Sequence, residues 1–391
     1  MTHLARAMAA AAAAAAISAA AQAGAAEVKV YGRIDTGLIY NHYAGDSLKQ
    51  DAVTLDSGVN TASRWGLKGS ESLTDSTRVL FQMENRFTSD SGAFKSFSAG
   101  KSGRMFGGQM FLGVANKQLG EIALGRMAGT SSGSGAFDLQ YYMDAFGGGT
   151  NGAGNAPVKA GRYDNAIAYR SPMLAGFQTT LQYSMKNDGY DEGDENTSDV
   201  NRYWSAALRY SSGPLNLVGI AEGVAWGRRQ QIDSGASTSK KLFTLGGSYR
   251  FQPATVYAEA QYYNGANAVD SFSAKRVAEV RDAATGAVKT AGRAAGSIEG
   301  YGLYAGAQVW LSGLSSWQSM AYWKDYTLDR EGVKTSGHSI GVATKYIYRP
   351  SKTVELYLGG GMSEVSRIDG KTGARLADKN LNVFSGLTKY F

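Results

Sequence analysis

Between Phe177 and Lys186 the chain alternates in character: Phe177, Thr179, Leu181, Tyr183 and Met185 fall on one side, Gln178, Thr180, Gln182, Ser184 and Lys186 on the other. A two-residue period sustained over about ten residues specifies an extended strand with two unlike faces. The same alternation sets Val79, Phe81, Met83 and Phe87 against Arg78, Gln82, Glu84 and Arg86. It also sets Phe243, Leu245, Tyr249 and Phe251 against Lys240, Thr244, Ser248 and Arg250. A soluble sandwich alternates too, but with strands of about five or six residues. Strands of about ten, with charge confined to one face, fit a sheet that meets lipid on one side and water on the other. Such a sheet must close into a barrel, because hydrocarbon offers no partner to an open edge.

Turn signals come in two alternating classes. Short ones fall at 73–76, 117–120, 171–176, 211–214, 252–254, 312–315 and 349–352, and long polar ones at 42–61, 88–104, 127–161, 187–201, 227–239, 264–297, 328–337 and 366–380. Together they predict an all-β, transmembrane antiparallel β-barrel of about sixteen strands, both termini at the short-turn end. The 51 Gly and 23 Tyr against 5 Pro suit long sheets and tight turns. No cysteine is present, so stability must come from backbone pairing rather than disulfides. Tyr40, Trp204, Tyr210, Trp310, Trp317 and Trp323 fit aromatic girdles at the two lipid interfaces.

The first 26 residues read as a secretory signal: His3 and Arg6 precede an alanine run that ends in small residues, with cleavage expected after Ala23, Ala25 or, preferred, Ala26. Two regions follow, a signal peptide at 1–26 and one barrel domain at 27–391. After Ala26 no stretch approaches the roughly 20 apolar residues of a spanning helix. The net charge of +7 would suit a nucleic-acid binder, but the export signal and the scatter of Lys and Arg among acidic residues exclude that partner.

Little in the chain looks catalytic. His42 and His338 are the only histidines beyond His3, and they lack metal-ligand spacing, so no metal, no cofactor and no enzyme activity is expected. Gly147–Gly149 and Gly359–Gly361 lack the lysine and helix of a phosphate cradle. The acidic stretch with Asp188, Asp191, Glu192, Asp194, Glu195 and Asp199 has no calcium-loop order; a solvated loop is the default, a cation bridge to lipopolysaccharide the alternative. The last strand ends on Phe391 with Leu381, Val383 and Leu387 in register, interrupted in character by Lys389, as expected of a barrel handed to the outer-membrane assembly machinery.

Several segments resemble the general porins of β-proteobacteria, the neisserial porins included. Tyr31-Gly32-Arg33-Ile34-Asp35-Thr36-Gly37 looks like that family's opening strand, and Ser63-Arg64-Trp65-Gly66-Leu67-Lys68-Gly69-Ser70-Glu71 with Phe81-Gln82-Met83-Glu84 is similar to its next two. Leu124-Gly125-Arg126 resembles the strand entering the constriction loop, and Arg162 to Pro172 with Gly176-Phe177 the hairpin after it. One departure is that Gln109 and Met110 stand where an arginine often precedes the aromatic at Phe111. The resemblance implies a homotrimer of sixteen-stranded outer-membrane barrels, each with a water-filled pore narrowed by an inward-folded third extracellular loop. That loop is 127–161 here, and a stretch so long inside a compact structure is usually functional.

Parity then assigns the pore lining. Arg33, Asp35, Arg64, Lys68, Arg78, Arg162 and Arg170 fall on the polar faces, as do Lys29, Glu84, Arg86, Asp164, Lys186, Arg209, Lys240, Arg250, Glu259, Lys345 and Glu355. Arg126 falls on the apolar face of Ile122 and Leu124, so it reaches the lumen only if the strand ends or bulges near Gly125. Asp138 and Asp144, the acidic residues of 127–161, are expected either on the inward loop opposite basic wall residues or solvated on its outer surface. Basic charge outweighs acidic on the polar faces, which predicts a pore for small hydrophilic solutes and ions with a weak preference for anions. A substrate-selective channel and a plugged structural or adhesin barrel are the alternatives.

Overall fold

The structure, a computed structural model, describes residues 27–46, 49–95, 104–146, 157–187, 193–228, 239–266, 280–281, 288–290, 297–330, 333–368 and 372–391. The proposed signal segment, Gly147–Gly149 and Asp188, Asp191 and Glu192 lie outside them. Sixteen antiparallel strands close on themselves. β1 (Glu27–Gly45) pairs on one side with the last strand, β16 (Arg375–Tyr390), from Arg33 opposite Tyr390 to Gly45 opposite Asp378. On its other side it meets β2, which comes in two pieces: Lys49–Ser57 pairs with the second half of β1 and Arg64–Ser72 with the first. Residues 58–63 interrupt it.

The rest follow in chain order, each paired with its neighbour: β3 (Thr77–Arg86), β4 (Met110–Asn116), β5 (Gly120–Ala128), β6 (Arg162–Arg170), β7 (Phe177–Ser184), β8 (Arg202–Ser212), β9 (Leu215–Ala225), β10 (Lys240–Phe251), β11 (Ala254–Ala266), β12 (Ser297–Trp310), β13 (Ser315–Arg330), β14 (Val333–Ser351) and β15 (Val354–Ile368). The seven short connections all fall where the sequence places them.

Alternation maps onto the wall as expected. Leu112, Leu124, Leu208, Leu245, Leu303 and Leu358 point outward and are exposed, while their strand neighbours Ala123, Ala207, Thr244, Tyr304 and Tyr357 turn inward and are buried. The outer face is thus a hydrocarbon-compatible belt, the inner face polar but not uniformly so. Phe391 closes the cylinder: its backbone exchanges hydrogen bonds with Gly32 at 2.9 and 3.1 Å.

Three expected loops are mostly strand. β1 runs to Gly45 and β2 begins at Lys49, inside the expected loop 42–61; β13 and β14 reach Arg330 and Val333, inside 328–337; β15 and β16 reach Ile368 and Arg375, inside 366–380. Beyond the membrane both faces of a ribbon are solvated, so pairing continues while the alternation that announces it stops. A short hairpin, Val280–Arg281 with Val288–Thr290, stands within the expected loop 264–297.

Candidate functional site

After β5 the chain turns against the inner wall. From Gly129 to Phe146 it meets inward-facing residues of strand after strand. The Thr130 N–H donates to the Tyr203 hydroxyl at 3.0 Å, which itself donates to Glu222 at 2.6 Å; the Ser131 hydroxyl donates to the same carboxylate. The Gln140 amide donates to Glu259 at 2.5 Å, and the Ala145 N–H to the Tyr304 hydroxyl at 2.9 Å. Glu222, Glu259 and Tyr304 come from β9, β11 and β12, so the segment sweeps a long arc of the interior.

Apolar side chains seat it. Phe137 packs on Phe111, Ala123, Ala166 and Ala168; Met143 on Val218 and Ile220; Phe146 on Tyr304, Met320 and Ala343. Each such burial contributes about 1.5–3 kcal/mol, more than the fraction of a kcal/mol by which loop closure grows per doubling of length. Val218 and Ile220 face inward because this segment, not water, covers them.

At Ser134 the segment meets a cluster of arginines. Arg86 Nε donates to Glu84 at 2.8 Å, and Arg64 reaches the other oxygen of that carboxylate at 3.4 Å. Arg162 and Arg86 both donate to the Ser134 hydroxyl of the inward segment, at 2.8 and 3.2 Å. Arg33 and Arg64 each donate through Nε to the Ala62 carbonyl, at 3.3 and 3.2 Å. Arg64 and Arg86 therefore hold Glu84, Arg162 joins Arg86 at Ser134 and Arg33 joins Arg64 at Ala62, so the four guanidiniums, on strands β1, β2, β3 and β6, are linked through shared partners.

The other sequence-selected residues separate from this cluster. Lys68, Arg78 and Arg170 line a neighbouring recess of about 500 Å³ with Lys29, Glu27 and Glu121. Arg170 also binds Glu121 at 2.7 Å, donates to the Ala136 carbonyl at 2.8 Å and lies over the Phe137 ring, so it clamps the inward segment. Asp35 faces inward but is fully buried: it accepts from the Tyr357 hydroxyl at 3.1 Å, from the Asn60 N–H at 3.2 Å and from Thr388.

Arg126 does escape its apolar parity. The β5–β6 register shifts between Gly125 and Met127, with Gly125 at φ +142, a value that favours glycine; a Cβ there would strike the Met110 carbonyl. Arg126 is then buried, donating to Asp164 at 2.7 Å and to the Gly107 carbonyl at 3.1 Å.

Asp138 and Asp144 ride on the inward segment, yet neither is left to bulk water. Asp138 is 3% exposed and accepts from the backbone N–H groups of Gly133 and Gln140 at 3.0 and 3.3 Å. Burial pushes its carboxyl up to about 7, against the pull of those donors and of Lys159. Asp144 accepts from Tyr304 at 2.9 Å, from the Phe146 N–H at 2.8 Å and from Lys159 at 3.1 Å. Burial pushes that carboxyl up as well, but Lys159 and its other donors hold it below the usual carboxylate range. Both therefore shape the segment rather than simply facing the arginines.

Residues that sequence reasoning passed over include Arg104, which holds Asp164 at 2.6 Å, and Lys159. Both sit in irregular stretches where parity has no meaning. Gln109, noted only as a departure, accepts from the Ala136 N–H at 3.1 Å and so anchors the inward segment. Among the described residues no group of three or more His, Cys, Asp and Glu could hold a metal.

Comparison with known proteins follows the same line. A family model described as Gram-negative porin matches residues 7–367. An outer membrane porin protein of Bordetella pertussis is 32% identical over 256 residues, 59% of this chain and 63% of its own length. Outer membrane porin protein 32 of Delftia acidovorans is 28% identical over 236 residues, 58% of this chain and 61% of its own. The matched stretch thus spans less than two thirds of either relative. Among solved structures, an anion-selective porin from Comamonas acidovorans superposes with a TM-score of 0.61 over 94% of this chain and all of that one, at 19% identity, which shows the shared barrel. The chain belongs to the Gram-negative porin family, a family of outer-membrane β-barrels.

Proposed function

We propose that the protein is a homotrimeric general-diffusion porin whose barrels pass small hydrophilic solutes and ions, with a weak preference for anions. The observation that carries this reading is the cluster of Arg33, Arg64, Arg86 and Arg162, in which Arg64 and Arg86 hold Glu84, Arg33 shares the Ala62 carbonyl with Arg64, and Arg86 and Arg162 meet the segment Gly129–Phe146 at Ser134. Clustered guanidiniums in a narrow aqueous path favour anions. At physiological salt the Debye length is only about 8 Å, so charges a pore-width away are screened and the preference is mild. The anion selectivity of the Comamonas acidovorans porin points in the same direction. Outer-membrane lipid and lipopolysaccharide cover the apolar belt in this reading, and the strand ending in Phe391 engages the barrel-assembly machinery.

Conductance of the purified protein in a planar bilayer tests the pore. Stepwise ion currents in multiples of three support it, and a folded, inserted barrel that carries no current establishes the plugged structural barrel instead. Unboiled samples are expected to migrate as trimers.

A further inference from the structure

The barrel holds a second inward element besides Gly129–Phe146. Residues 58–63, where β2 breaks, turn in from the wall: Val59 is 1% exposed and packs on Ile39, Ile347, Tyr357 and Phe384, from β1, β14, β15 and β16. The break is fixed at its base by β1, since the Gly58 N–H donates to the Asp35 carbonyl oxygen at 2.9 Å and the Asn60 N–H to the Asp35 carboxylate at 3.2 Å. It thus covers inner-wall residues of β1, β14, β15 and β16.

The two elements meet at one side chain. Lys345, on β14 and 3% exposed, donates from Nζ to the Asn60 side-chain oxygen at 2.8 Å and to the Phe146 carbonyl at 3.3 Å, with the ammonium 4.5 Å from the centre of the Phe146 ring. At its other end the break presents the Ala62 carbonyl, the common acceptor for Arg33 and Arg64. A continuous chain of contacts therefore runs from Phe146 through Lys345, Asn60 and Ala62 to two arginines of the basic cluster.

We propose that the strand break 58–63 is a second constriction element, and that Lys345 is the positioning residue that latches it to the inward segment and thereby sets where Arg33 and Arg64 stand. The inference rests on the porin reading. In it Lys345 acts on permeation through geometry as well as charge. A buried ammonium and its amide acceptor hold their partners strongly, and losing one leaves the other without its bond in a site closed to water. Removing the latch shifts the balance between latched and released arrangements by about tenfold or more.

The test compares Lys345→Met, Asn60→Ala and Asn60→Asp with the wild type, using single-channel conductance, open-channel noise and reversal potential in a potassium chloride gradient. Heat-modifiable gel migration checks that each barrel folds. Asn60→Ala removes no charge, yet it is expected to raise open-channel noise and to weaken anion preference, as Lys345→Met does. Asn60→Asp keeps an acceptor for Lys345 and is expected to retain wild-type noise. The double variant Lys345→Met with Asn60→Ala should be no noisier than either single one, because both break the same contact. Should folded Asn60→Ala match the wild type in noise and selectivity while Lys345→Met moves selectivity alone, Lys345 is a plain lumen charge and the latch is overturned. Absence of current in the wild type would instead overturn the pore reading, so the two failures are distinct.

Discussion

The two sides of the inner wall use the same kinds of residue for opposite ends. On β1, β2, β3 and β6, Arg33, Arg64, Arg86 and Arg162 form a concentrated patch of one sign beside a single carboxylate, held through Ser134 and Ala62. On β8 to β14, Tyr203, Glu222, Glu259, Tyr304 and Lys345 are equally inward, but each hydrogen-bonds the segment Gly129–Phe146. In the function proposed above, the charges of the first side bear on what passes and those of the second on where the segment lies; Arg86 and Arg162, bonded to Ser134, take part in both. Strand parity tells the face of a side chain and is silent on this distinction.

The largest effect that sharpens the contrast is expected from Glu222→Ala. It leaves the buried Ser131 and Tyr203 hydroxyls without their acceptor, at about 1–3 kcal/mol for each group. The start of the inward segment should loosen, raising unit conductance and lowering the temperature at which the barrel unfolds on gels. If Glu222→Ala instead shifts only ion selectivity, the two sides do not differ as described.

Arg33→Gln with Arg64→Gln is the complementary change. It removes two charges from the basic side but leaves the Glu222 anchor intact, so thermal stability should hold while the reversal potential moves toward zero. A loss of thermal stability equal to that of Glu222→Ala would erase the contrast.

A smaller effect is expected from pH. Asp138, with its carboxyl pushed up to about 7 by burial, is neutral in acid and charged in base. Its neutral form is the one the fold favours, so its stabilising contribution is complete below the ordinary value near 3.8 and is lost as pH rises through about 7. Going from about pH 8 to about pH 6 removes a negative charge near Lys159 and Glu222 and should increase anion preference slightly. Reversal potentials across that range check it, and Asp138→Asn should reduce the response.

Much of this was legible in the sequence, for a physical reason: a bilayer enforces two unlike faces, so Leu245 against Thr244 or Leu181 against Thr180 announces its own orientation. Arg126 shows how far the reasoning reaches, since its mismatch with Ile122 and Leu124 required a bulge and Gly125 supplies one. Where the solvent no longer differs between faces, legibility ends. The paired ribbon at Lys49–Ser57 reads as loop, and the inward break at 58–63 carries no period at all. Asp35 was readable as inward, but its burial under Tyr357 and Thr388 depends on strands more than 300 residues away in sequence. Val218 and Ile220 look misplaced on a lumen face until Met143 is seen to cover them.

The most direct test of the central claim is the zero-current potential of the wild-type protein in a planar bilayer with a potassium chloride gradient. With the arginine side bearing on permeation, the sign should report chloride as the favoured ion, by a modest margin that shrinks as salt is raised. A sign reporting potassium as the favoured ion would contradict the account, because the cluster around Glu84 would then not govern what passes.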